Sequence, residues 1–166
     1  MLASLPDAAR VWLFPLDRTL SDAEADALRR SVAGWLPSWT SHQRPVQAEA
    51  EVLAGRALVV GAVISEADLN AGVSGCGIDK MERAVAKALD AHGLALASPL
   101  AVTVRDESGD WRSLPRPAFR RLTKSGEAGP ETVVLDVTAT TVGDLRAHGA
   151  ERPAGETWAA RAFALA

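Results

Sequence analysis

Residues 57–64 read ALVVGAVI, an unbroken run of eight residues without a polar side chain. Such a run is typical of a strand buried on both faces, because a strand with one face in water carries polar side chains at alternate positions. The run is far too short to cross a bilayer, which takes about 20 residues. It therefore predicts the central strand of a sheet.

The segments on either side of this run are more polar. Residues 46–53 alternate between apolar and polar side chains, which predicts a strand that turns Glu49 and Glu51 to water. Residues 54–56 read AGR and fit the turn of a hairpin between the two strands. After the run, residues 65–71 are expected to form a polar connection.

Two amphipathic helices are predicted around this hairpin. The first begins at a capping box, in which the Ser21 and Glu24 side chains each cap the other residue's backbone amide. The second is expected over residues 78–92, where apolar residues recur at helical spacing before a capping glycine. Residues 10–16 and 100–105 read as strands before the first helix and after the second.

The order of these elements predicts the fold class. Residues 10–113 run strand, helix, strand, strand, helix, strand, with one more short strand at the end. The first six elements have the order of a ferredoxin-like βαββαβ unit, so we expect an α+β fold with a ferredoxin-like core. The C-terminal extension, residues 114–166, is expected to add a strand at 131–137 and a helix at 141–149 to the same core. Residues 1–166 are interpreted as a single domain.

Composition and missing motifs argue against several classes of protein. A net charge of −3 and a pI of about 5.6 do not favour nucleic acid or an anionic membrane as the main partner. A single cysteine forms no internal disulfide, and the N-terminus lacks the pattern of a signal peptide, so we expect a cytoplasmic protein. No phosphate-binding loop of the form G-x-x-x-x-G-K-[ST] and no metal-ligand spacing occurs. Nucleotide hydrolysis, a cofactor and a metal ion are therefore not expected.

The one cysteine lies in the stretch GVSGCGIDK, between two glycines. If Gly77 caps a helix that begins at Ile78, Cys76 lies beside unpaired amides at the positive end of that helix, where a thiolate is favoured. Lys80 in the first turn would reinforce an anion site, whereas Asp79 would partly cancel the positive field. Three interpretations stay open: Cys76 is a small buried apolar residue, part of a small-anion or phosphate site, or a reactive thiol.

His42 differs from the other two histidines. His92 and His148 each precede a glycine at a predicted helix end, where a cationic ring suits the helix dipole. His42 lies in a loop with Trp39 and Arg44, where the three side chains could line a pocket. The alternatives are a solvated histidine and a tryptophan that packs in the core.

Several stretches resemble one family of small bacterial proteins of uncharacterised function, common in Bacteroidetes-like bacteria and often labelled "ABC transporter ATPase". The stretches are RVW at residues 10–12, the Trp39 to His42 loop, SGCGIDK at 74–80, and ETW at 156–158 followed by Arg161 and Phe163. The chain is too short for an ATP-binding cassette and lacks its phosphate-binding and LSGGQ-like motifs. The resemblance implies no substrate, and it directs attention to Trp39, His42, Cys76, Asp79 and Lys80.

These observations predict a shallow site for a small anionic ligand where the 74–80 turn meets the 39–44 loop. The expected ligand-binding residues are Ser74, Gly75, Cys76, Gly77, Lys80, Trp39, His42 and Arg44. One alternative is a thiol-dependent enzyme with Cys76 as nucleophile and His42 as base. Another is a protein-interaction module that forms a homodimer through a sheet edge or the tail.

Overall fold

The computed structural model of the chain describes residues 1–64 and 72–165. These residues form nine strands and five α-helices, so the expected α+β class is confirmed. The polar connection expected over residues 65–71 lies outside the described residues. Among the helices that the structure describes, none has the length and apolarity needed to cross a membrane.

The first sheet is built around the apolar run. Its order is β1 (Arg10–Pro15), β5 (Ala57–Val63) and β4 (Gln47–Leu53), and both pairings are antiparallel. All seven residues of β5 are buried, as the run predicts for a central strand. A small hairpin of β2 (Thr40–Ser41) and β3 (Arg44–Pro45) precedes β4.

Two helices cover one face of this sheet, α1 (Asp22–Trp35) and α2 (Gly75–Ala91). Their apolar stripes, with Val32 and Met81 as members, pack on Leu58 and Val60 of β5 in one buried cluster. The intervening β5 residue Val59 points to the opposite face, as the two-residue period of a strand requires.

The rest of the chain forms a second sheet with three further helices. In chain order these elements are β6 (Ala101–Arg105), β7 (Trp111–Pro115), α3 (Arg116–Ser125), β8 (Val133–Leu135), α4 (Val142–His148), β9 (Glu151–Pro153) and α5 (Trp158–Phe163). The strand order of the sheet is β7-β6-β8-β9, and all of its pairings are antiparallel.

The ferredoxin-like core is not confirmed, although part of its arrangement is present. β1 and β4 run parallel with β5 between them, as in the first half of such a unit. The fourth strand is missing from this sheet, since β6 pairs with β7 and β8 instead. After α2 the chain runs beside the end of β1, where Leu96 bridges Leu16 and the Ala97 amide donates to the Pro15 carbonyl, and Thr141 later bridges Arg10 at the other end of β1. Pro99 lies three residues after Leu96 and has no amide hydrogen to extend that ladder, which suits the point at which the chain leaves the edge of β1.

The two sheets face each other across a second apolar cluster. Val59 of the first sheet and Trp111 of the second belong to it, and Leu2, Leu5 and Leu145 complete it from the N-terminal segment and α4. A third cluster, with Phe119 of α3 and Phe163 of α5, lies on the outer face of the second sheet. The layers are therefore helix, sheet, sheet, helix. The C-terminal extension contributes two strands of the second sheet rather than adding a strand to the first.

Glu49 and Glu51 do not simply face water, as their alternation suggests, but hold the N-terminal segment. The backbone amide of Leu2 donates to Glu51 Oε1 at 2.6 Å. The backbone amide of Ser4 donates to Glu49 Oε1 at 3.2 Å, and its hydroxyl donates to the same oxygen. The two carboxylates therefore fasten this segment beside β4.

The capping box predicted at the start of α1 is confirmed, and it makes the free energy of unfolding depend on pH in the acidic range. Glu24 Oε2 accepts from the Ser21 amide at 2.9 Å, and Arg18 donates to Glu24 Oε1 at 2.7 Å. The hydrogen bond from Arg18, followed by those from Ser21, lowers the pKa of Glu24 to about 2. Because the folded pKa lies below the unfolded value of about 4.3, this stabilisation is complete above that value and is lost as the pH falls toward 2.

We expect Glu24→Gln to lower the free energy of unfolding at neutral pH. The difference in this free energy between the variant and the native protein should disappear as the pH falls from about 4.5 to 2. Urea midpoints measured across that pH range check this. A control is Glu82→Gln, which removes an exposed carboxylate of α2 that makes no ion pair within the described part of the chain. A gap that stays constant over the whole range would contradict the role of Glu24.

Candidate functional site

Two serines join the β2–β3 hairpin to the start of α2. The Ser41 hydroxyl donates to Ser74 Oγ at 3.0 Å, and the Ser74 backbone amide donates to Ser41 Oγ at 2.9 Å. Ser74 Oγ also accepts from the Gly77 amide at 3.2 Å. The structure thus brings together the two segments that were expected to border one site.

The helix begins at Gly75 and not at Ile78, so the expected start was wrong by one turn. Ser74 is the N-cap residue, because its hydroxyl accepts from a first-turn amide, which a glycine at position 77 could not do. Cys76 consequently lies inside the first turn rather than before it. Gly77, expected as the cap, is a helical residue.

Two of the expected ligand-binding residues are buried, which corrects their assignment. Trp39 is 1% exposed, and its ring Nε1 donates to the Gly77 carbonyl at 2.9 Å. It packs against the rings of Trp12 and Trp35. Gly77 is buried as well, and a Cβ there would lie 2.8 Å from Val73 Cγ1. These two residues hold the hairpin and helix together and offer no surface to a ligand.

The other expected residues reach the surface. Gly75, Cys76 and Lys80 of α2 are exposed, and so are His42 and Arg44 of the hairpin, while Ser74 is half-buried. The interpretation of Cys76 as a buried apolar residue is therefore wrong. No hydrogen bond joins Cys76 Sγ to the His42 ring among the described residues.

The hairpin turn holds His42 in an unusual backbone conformation. His42 and Gln43 have φ angles of 49° and 63°, as the two central residues of a type I′ turn require. Glycine, asparagine or aspartate normally occupies such positions, because other residues are strained there. The turn therefore keeps His42 at the tip of the hairpin, where its ring is exposed.

The charges around the exposed first turn of α2 are mixed. Lys80 and Arg44 are positive and add to the positive end of the helix dipole, whereas the exposed Asp79 opposes them. These residues line none of the clefts described below. Within residues 1–64 and 72–165, no group of three or more His, Cys, Asp or Glu side chains is placed to hold a metal ion.

The larger clefts lie elsewhere, and the sequence did not indicate them. One of about 850 Å³ follows the outer edge of β4 beside α1, and one of about 740 Å³ lies between α3 and the second sheet. Two more, of about 450 and 370 Å³, lie on either side of residues 96–101. Arg56 lies buried behind these last two clefts. It was the one residue in the sequence that could have pointed to them, because this charged residue directly precedes the apolar run.

The outer edge of β4 bears on the expected homodimer. In the part of the chain that the structure describes, β4 pairs only with β5. Antiparallel pairing of two copies centred on Ala50 would set Glu49 of each copy opposite Glu51 of the other. Like charges directly opposite each other are destabilising, so this edge does not favour a second copy. A homodimer through another surface stays a prediction.

No protein-family model, curated protein or solved structure matches the chain. The resemblance to the bacterial family therefore stays a prediction.

Proposed function

We propose that the protein binds a small anion, such as inorganic phosphate, at the N-terminus of α2. The observation that carries this proposal is the Ser41–Ser74 pair, which fixes the hairpin against the helix start while Cys76, Lys80 and Arg44 stay exposed. First-turn amides and the positive end of a helix attract anions. Lysine and arginine side chains add charge-assisted hydrogen bonds.

The amides available to the anion are those of Gly75 and Cys76. Ser74 Oγ already takes the Gly77 amide, whereas neither of these two donates to an acceptor within the described chain. A Cβ at Gly75 would meet no atom within 4 Å, so an anion has room to approach the backbone there. Asp79 weakens the attraction and is consistent with modest affinity.

Phosphate at about ten times its Kd is expected to stabilise the protein by about 1.4 kcal/mol and to raise Tm by about 3–6 °C. Lys80→Gln should reduce this shift, whereas Lys87→Gln, which removes the same charge from an exposed position of the same helix, should not. Thermal melts of the three proteins in phosphate and in chloride of equal ionic strength provide the measurement. Equal Tm shifts for all three proteins, or equal shifts in chloride, would mean that the effect is general electrostatic screening and not phosphate binding at the start of α2.

The exposure of Cys76 favours a second candidate function, a thiol-dependent enzyme. An exposed thiol is open to electrophiles and can act as a nucleophile. If Cys76 is the nucleophile of such an enzyme, iodoacetamide should label it at pH 7 about ten times faster than N-acetylcysteine. His42→Asn should slow labelling if His42 is the base, whereas His92→Asn should not. A rate equal to that of N-acetylcysteine would end this candidate.

We infer further that the protein acts in the cytoplasm. A single cysteine that forms no internal disulfide, and a free thiol at the surface, suit a reducing compartment. Cell fractionation with an antibody against the native protein tests this, and recovery in a secreted or periplasmic fraction would contradict it.

A further inference from the structure

Two clefts meet at residues 96–101, which cross the surface between the two sheets. The Asp17 cleft, of about 450 Å³, includes Asp17 and Ser113 in its wall. The Trp158 cleft, of about 370 Å³, includes Thr103 and Trp158. Arg116 lines both clefts.

A buried guanidinium lies behind their shared wall. Arg56 is 2% exposed, and its Nη2 donates to Ser113 Oγ at 2.6 Å. Its Nε is buried and has no acceptor, and no carboxylate forms an ion pair with it among the described residues. Burial lowers the pKa of Arg56, and the charge of Asp17 only partly opposes this effect. Burying a cation with so few partners costs desolvation free energy. A buried group of this kind in a folded protein therefore needs an explanation.

The charge of Arg56 reaches the clefts through two hydroxyl groups. Thr103 Oγ1 and Ser113 Oγ lie 3.0 Å apart, and either can be the donor. If Ser113 donates to Thr103, the Thr103 proton is free to point into the Trp158 cleft. If Thr103 donates to Ser113, the Ser113 proton is free to point into the Asp17 cleft. In both cases one hydroxyl, made a stronger donor by the buried cation, offers its proton to a cleft.

The charges of the lining residues favour the Trp158 cleft for an anion. Among the described residues no acidic side chain lines it, whereas Asp17 would repel an anion in the neighbouring cleft. Arg116 lies over the Trp158 ring at 5.2 Å from its centroid and forms no ion pair with a described residue. The nearby buried carboxylate of Asp136 is already paired with Arg152 at 3.3 Å.

We propose that the Trp158 cleft binds a small carboxylate that carries an apolar body. Its carboxylate accepts from the Thr103 hydroxyl and from the Arg116 guanidinium. Its apolar body packs among Leu135, Val137 and the Trp158 ring, which form the apolar wall. A volume of about 370 Å³ suits a compact ligand and falls at the lower end of small-molecule sites.

Benzoate is a suitable probe, and benzamide is its neutral counterpart of nearly the same shape. Ligand-observed NMR titrations should give a benzoate Kd about tenfold or more below that of benzamide, because a charge-assisted hydrogen bond is worth roughly that factor. Arg116→Gln should weaken benzoate by a similar factor. Arg112→Gln, an exposed arginine on the same sheet that lines the cleft beside α3, should leave the Kd within about twofold.

Thr103→Val tests the donor chain without removing a charge, and it should weaken benzoate more than benzamide. Equal affinity for benzoate and benzamide, no binding at millimolar benzoate, or equal losses in Arg116→Gln and Arg112→Gln would overturn the proposal. So would Asp17→Asn strengthening benzoate while Thr103→Val leaves it unchanged, because the ligand would then occupy the Asp17 cleft. Lys80→Gln should not alter benzoate binding, and Arg116→Gln should not alter the Tm shift caused by phosphate. The two proposals can therefore be contradicted independently of each other.

Discussion

Trp39→Ala is expected to destabilise the protein by about 4 kcal/mol and to lower Tm by roughly 8–16 °C. The ring is 1% exposed and packs against two other tryptophans, so truncation leaves a large cavity beneath the β2–β3 hairpin. The substitution also removes the ring donor to the Gly77 carbonyl. Urea unfolding followed by far-UV circular dichroism measures the loss.

Trp39→Phe separates these two contributions. It keeps most of the apolar volume but loses the Nε1 donor, so we expect a smaller loss, of which about 0.5–1.5 kcal/mol comes from the hydrogen bond. Labelling of Cys76 should also become faster in this variant, since the Trp39–Gly77 hydrogen bond is lost and the helix start is held to the hairpin less firmly, although the Ser41–Ser74 hydrogen bonds remain. If Trp39→Ala were as stable as the native protein, the Trp39 ring would not be part of the core and would again be a candidate ligand contact.

The double substitution Leu2→Ala and Leu5→Ala is expected to cost about 4 kcal/mol, near the low end for two buried leucines because an N-terminal segment can partly collapse onto the space. Both side chains are buried between the sheets, at 0% and 3% exposure. Their Cδ1 atoms fill the space beside Gly61, where a Cβ would lie 2.8 and 2.7 Å from them. Arg146 Nη2 fixes the segment further by donating to the Leu2 and Leu5 carbonyls at 2.7 and 2.9 Å.

Leu100→Ala is the matched control, because Leu100 is 66% exposed and should change stability by less than about 0.5 kcal/mol. Guanidinium midpoints of the two variants give the comparison. If the double variant unfolds at the same midpoint as Leu100→Ala, the N-terminal segment does not form part of the core.

The local elements of the fold were predictable because their signals lie within a few residues. The apolar run gave β5, and Ser21 with Glu24 gave the start of α1. The start of α2 was misplaced because Ser74 and Gly77 both suit a helix start, and the hydrogen bond from the Gly77 amide to Ser74 Oγ shows that Ser74 is the cap. The sheet to which β6 belongs was not predictable, since it depends on pairing with strands far along the chain.

The candidate site at α2 was predictable in outline, because glycines and a serine near a helix start indicate it locally. The burial of Trp39 was not, since an aromatic residue after a helix suits a core and a ligand surface equally well. The Trp158 cleft was beyond the reach of local patterns. Arg56 and Ser113 lie 57 residues apart and meet only because the two sheets face each other.

The tryptophans divide between the layers in a way that makes the protein its own optical probe. Trp12, Trp35 and Trp39 cluster on the helical face of the first sheet, whereas Trp111 lies in β7 of the second sheet and Trp158 in α5, which packs on that sheet. The Trp39 ring centroid lies 6.2 Å from that of Trp12 and 5.6 Å from that of Trp35, close enough for energy transfer between indoles, so the three should emit as a coupled unit. In a protein that carries Trp111→Phe and Trp158→Phe, the tryptophan emission would come from the first sheet alone. The temperature at which that emission shifts to the red would then be the temperature at which the first sheet and its helices unfold.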